Sequence, residues 1–144
     1  YKKTSEILYD VMILGCEYRF DLMNKRMEEE SGNLTNELMA KIIVDKCLDD
    51  NEYMPIYVMF LQEIQENEEL RRLYSEIKDT NMEKLQSILV RVGYKPLSRD
   101  FCDYLTDIIN SIILACGLLG VRESFIRKRY LLEDMFLSLL RKNE

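Results

Sequence analysis

The sequence predicts an all-α fold, a six-helix bundle. Three observations carry this expectation. Only two prolines and five glycines punctuate 144 residues, too few for a strand-and-turn chain. Apolar residues recur at helical spacing in nearly every segment. The breaks between segments are short, so residues 1–144 read as one helical domain with enough chain to bury a core.

Helix one is expected from Thr4 to Glu30, with Thr4 or Ser5 as cap and Glu6 early, where a carboxylate suits the helix dipole. Leu8, Val11, Met12, Gly15, Cys16, Leu22 and Met23 form its apolar set, while Ile13, Leu14 and Phe20 lie off that stripe and point to neighbours on more than one side. Ser31, Gly32 and Asn33 break it. Helix two runs from Thr35 to Leu48, and Asp49, Asp50 and Asn51 make the next turn. Helix three, Met54 to Glu66, opens with Pro55, whose missing N–H is harmless in a first turn. Asn67 caps helix four, which carries Glu68 and Glu69 at its start and Arg91 at its end, and stops at Gly93. Ser98 caps helix five, which reaches Leu119, and helix six runs from Arg122 to Lys142.

Helix five carries two apolar stripes: Phe101, Leu105, Ile108, Ile112 and Leu119, and Cys102, Ile109, Ile113, Cys116 and Gly120. A small monomer does not easily hide both, which points to a homodimer seam at the C-terminal helices; a central core helix is the alternative. The longest apolar stretch, Ile108 to Val121, falls short of the ~20 residues of a bilayer span, so no membrane association is expected. With no signal peptide at the N-terminus and four cysteines set among apolar residues without CxxC spacing, a reduced, cytoplasmic protein is expected.

Several chemistries are excluded. The chain has no histidine, which removes Ser–His and Cys–His nucleophiles and the common zinc and di-iron motifs. It has no glycine-rich phosphate loop. The formal net charge of −6 opposes nucleic-acid binding by this segment, although Arg127, Lys128 and Arg129 form one basic turn. Asp49, Asp50 and Glu52 form a lone acidic cluster with no matching partner, so neither an enzyme, a metal site nor a cofactor is expected. Asp103, Asp107 and Asn110 share one face of helix five; buried, they need partners, which a ligand cavity or solvent at the domain edge would supply. Nine tyrosines and eight methionines suit a pocket for varied apolar ligands or a core patched with methionine.

The opening Tyr1-Lys2-Lys3-Thr4-Ser5-Glu6-Ile7-Leu8, the run Tyr57-Val58-Met59-Phe60-Leu61-Gln62-Glu63 followed by Asn67-Glu68-Glu69-Leu70-Arg71-Arg72-Leu73-Tyr74, and the closing pair of apolar helices together resemble the C-terminal regulatory domain of TetR-family transcriptional regulators. The resemblance covers the whole chain and implies an effector-binding and dimerisation domain whose DNA-binding head is absent from it. By that resemblance helix one is a lever, a small, mostly apolar effector sits among Met12, Cys16, Tyr57, Phe60, Tyr74, Tyr104 and Asn110, and the last two helices form a four-helix bundle with those of a second copy, a homodimer seam that includes Ile109, Ile113, Cys116, Leu132 and Phe136. DNA is met only through the missing head. The alternative is a helical protein–protein interaction module with no small-molecule ligand, which a solid core would favour.

Overall fold

The computed structural model describes residues 3–143, so Tyr1 and Lys2 of the quoted opening lie outside the described residues. All regular structure among them is helical: α1 Thr4–Glu29, α2 Asn36–Leu48, α3 Met54–Glu63, α4 Glu68–Val92, α5 Arg99–Leu118, α6 Arg122–Arg127 and α7 Arg129–Lys142. Local chemistry sets most of the ends. The Lys3 N–H donates to the Glu6 carboxylate at 3.1 Å, so the residue before Thr4 is the cap. Thr35, Asn67 and Ser98 accept the backbone N–H groups of Leu38, Leu70 and Phe101, each at 3.1 Å. Gly93 ends α4 at φ +78°, a left-handed conformation that favours glycine.

Two boundaries differ from expectation by more than one residue. Helix three stops at Glu63 rather than Glu66, because Ile64 to Glu66 already turn toward the Asn67 cap. The expected sixth helix is two helices meeting at Lys128. Neither proline nor glycine causes that break; it accompanies Arg129, which donates to the Lys41 carbonyl at 3.1 Å and pairs with Asp45 and Glu133.

α2 is the element buried on most sides, with Met39, Ala40, Ile42, Ile43, Val44, Cys47 and Leu48 all inside. It packs against α1, α5, α6 and, most extensively, α7. α1 lies along α3 and α4, and α5 meets α2, α3 and α4. At 20 residues α5 is long and apolar enough to cross a membrane by length and composition. α5 and α3 approach closely at Gly117, where an added Cβ would stand 2.7 Å from Val58 Cγ2.

The core divides in two. A smaller cluster joins Leu8, Met12 and Cys16 of α1 to Phe60 and Leu61 of α3 and Leu70 and Ile77 of α4. A larger one joins the other half of α1 to α2, the end of α4, α5 and α7. Tyr57 packs against both.

The residues expected at the homodimer seam are largely packed within the single chain. Ile109, Ile113, Leu132 and Phe136 are buried in the larger cluster of the chain itself, with Cys116 half-buried against it. Most of both α5 stripes finds neighbours within one chain, α2 on one side and α3 with α4 on the other, whereas Leu119 and Gly120 are exposed and Ile113 and Cys116 line a cleft of about 290 Å³. The apolar side chains left exposed at this end are Leu118, Leu119, Ile126, Tyr130, Leu131 and Met135.

Candidate functional site

The polar face predicted on α5 serves two tasks. At its solvent end Asp103 and Asp107 each lie 2.8 Å from Lys78 Nζ. Burial pulls the Lys78 ammonium down, but the bonds from Asp103 and Asp107 outweigh it and hold the group above its ordinary range. At the inner end Asn110 is only 7% exposed. Its Oδ1 accepts from Tyr57 Oη at 2.7 Å, and its Nδ2 donates to Tyr74 Oη at 2.5 Å, tying α5 to α3 and α4. Burial raises the pKa of both phenols. Tyr57→Phe leaves the Asn110 carbonyl without its donor and is expected to remove roughly 1–2 kcal/mol, read as a lower urea midpoint at unchanged slope.

Beside this relay lies a cavity of about 50 Å³ whose lining includes Cys16, Tyr57 and Asn110. It holds one or two waters by volume, not an effector. The wider apolar pocket expected from the tyrosines is absent among the described residues. Phe60 is fully buried and tilts against Tyr74 at 6.3 Å, Met12 is packed into the smaller cluster, and Tyr104 is 55% exposed on the outer side of α5. Of the seven expected ligand residues, Cys16, Tyr57 and Asn110 come together at the cavity, Tyr74 reaches it through Asn110, and Met12, Phe60 and Tyr104 do not line it.

Two residues that sequence reasoning passed over dominate the wall. Arg19 of α1 is 8% exposed. Its Nη2 donates to the Lys46 carbonyl at 2.9 Å, and its guanidinium stands 5.4 Å from the Tyr57 ring centre. Its Nε–H is buried with no hydrogen-bond partner; the Asp49 carboxylate lies 3.9 Å away, beyond bonding reach. Lys46 of α2 sets its ammonium 4.9 Å from the Phe20 ring centre. Burial, then the Arg19 charge, lower its pKa to about 8. Arg19 and Lys46 also line a second space, a cleft of about 230 Å³ between α1 and α2 with Leu22, Met23, Arg26, Ile42, Asp45 and Asp49.

A signal for both was present. Met12, Cys16, Arg19 and Met23 follow i, i+4, i+7, i+11, and Lys46 is one turn after Ile42, so each cation falls on a stripe that must be buried. The acidic turn makes different contacts. Asp49 accepts from Asn51 Nδ2 at 2.7 Å, Asp50 lies 4.0 Å from Arg122, and no three His, Cys, Asp or Glu side chains converge among the described residues. Burial raises the Cys47 thiol to about 12 and raises Cys102 and Cys116 as well, the direction opposite to activation. No protein-family model, curated protein or solved structure matches the chain.

Proposed function

We propose that the chain is the sensing and dimerisation domain of a TetR-type transcriptional regulator, with its ligand site against α1 rather than among the tyrosines. The observation that carries the reading is Arg19, a buried and incompletely bonded cation on the longest helix, in a wall shared by an inner cavity and an outer cleft. A buried N–H without an acceptor is a standing cost that a ligand relieves. α1 packs on α2, α3 and α4, so a molecule entering beside Arg19 acts on that helix directly. In a regulator of this type α1 leads to the DNA-binding head. Occupancy then biases two arrangements of the heads, provided the ligand binds them unequally.

Dimerisation in this reading uses the exposed apolar end of the molecule. A groove of about 330 Å³ there is lined by Ser124, Phe125, Lys128, Leu131, Leu132 and Met135, and Leu118, Leu119 and Ile126 are exposed on the same stretch of chain. Light scattering is expected to give a mass near twice 17.2 kDa. Leu131→Glu is expected to convert that species to a folded monomer, because the side chain is 53% exposed in the single chain. A wild-type monomer at every concentration sinks the dimerisation half of the proposal and favours a module whose apolar end meets a different protein.

A further inference from the structure

We propose that the cleft between α1 and α2, with the cavity behind it, binds a small organic monocarboxylate, its acid group held by Arg19 and Lys46 and its apolar body against Leu22, Met23 and Ile42. The proposal rests on the sensing reading and names the ligand class. The two cations are the only charged side chains common to both spaces. Neither has its charge fully answered within the chain. Arg19 Nε–H lacks an acceptor within bonding reach, and the Asp49 carboxylate that pairs with it stands 3.9 Å away. Lys46 faces an aromatic ring and a second cation, and among the described residues no carboxylate lies within 4 Å of its ammonium. Asp45, the other acid of the cleft, is taken by Arg26 and Arg129.

A carboxylate supplies what Arg19 Nε–H and the Lys46 ammonium lack, acceptor positions within bonding reach, up to four of them for converging N–H donors. Asn81 adds a donor on the inner side, where its amide has only a 3.9 Å contact with Cys16 Sγ. Size and polarity set the rest of the ligand. The inner space of about 50 Å³ takes an acid group and little more, while the cleft of about 230 Å³ offers the apolar side chains of Leu22, Met23 and Ile42 among its charged lining residues. A phosphate dianion fits less well, since Asp45 and Asp49 bring negative charge to the same cleft and nothing in a phosphate uses the apolar wall.

The test is titration of the whole chain, by calorimetry and backbone-amide NMR, with benzoate, its neutral isostere benzamide, and inorganic phosphate. Benzoate is expected to bind and to shift amides around Arg19 and Lys46, with benzamide and phosphate each at least about tenfold weaker. Arg19→Met and Lys46→Met are each expected to weaken benzoate about 10–100-fold. Their melting curves without ligand show whether each variant is folded, and Arg19→Lys, which keeps the charge, is expected to recover part of the affinity. Equal binding of benzamide overturns the acid class while leaving a sensing domain. Equal binding of phosphate overturns the apolar body. Benzoate binding that survives Lys46→Met overturns the site. If neither benzoate nor benzamide binds, this inference fails; if a broader set of neutral apolar compounds also leaves the melting temperature unmoved, the sensing reading fails with it.

Discussion

Phe136→Ala is expected to remove about 3–5 kcal/mol of stability and to lower the melting temperature on the order of 10 °C. The ring is fully buried, flanked on α7 by the buried Leu132 and Leu140, and sits in the larger cluster where α7 meets α2. Truncation removes a whole ring from a packed interior, and the helices around it relax only partly, so the loss combines transfer and cavity terms. Thermal melting with light scattering checks this. A seam residue would behave in the opposite way, changing mass while leaving the monomer's melting intact. That result would return Phe136 to an interface between copies and reopen the packing of α7 on α2.

Lys46→Met is expected to stabilise the chain at pH 7 by about 1–3 kcal/mol. The folded ammonium has a pKa of about 8 against an ordinary 10.5, because burial and the neighbouring Arg19 penalise its charge. The sign follows from proton counting. Between about 8 and 10.5 the unfolded chain holds a proton that the folded chain has lost, so this group makes wild-type stability rise with pH across that window. Below it the full penalty stands, and above it none remains. The groups around it are Arg19 and Cys16 of α1 and its own neighbour Cys47. Cysteines and tyrosines titrate in the same alkaline range, so the informative quantity is the wild-type minus variant difference from paired denaturant melts at pH 7 and pH 10. It is expected to shrink toward zero as pH rises. A difference that stays constant would mean that the ammonium is better solvated than its surroundings imply.

Much of the helical frame was legible because helix ends are short-range chemistry. Asn67, Ser98 and Gly93 act where the sequence places them, each bonded within a few residues. The split at Lys128 was not legible, since the groups that hold Arg129 come from α2, more than eighty residues earlier. Periodicity also showed that α5 is apolar on two faces, but not what covers them. The answer depends on α2, whose three-sided burial leaves no trace in its own stripe. The site followed the same rule. The face shared by Asp103, Asp107 and Asn110 is a local property, whereas the partners Lys78, Tyr57 and Tyr74 are set by tertiary packing. The cations at the wall lay on buried stripes in plain view. They were passed over because arginine and lysine usually sit in water.

The division of the core at Tyr57 bears on how the molecule opens. α1 contributes Leu8, Met12 and Cys16 to one cluster and Phe20 and Met27 to the other, so it is a single rod shared by two packed clusters. Native-state hydrogen exchange should therefore divide along α1, with amides before Cys16 and after Phe20 released by different opening events. Arg19 sits at that division, so a molecule bound in the proposed cleft would press on the joint between the two clusters rather than on either interior, and would alter the cost of opening both.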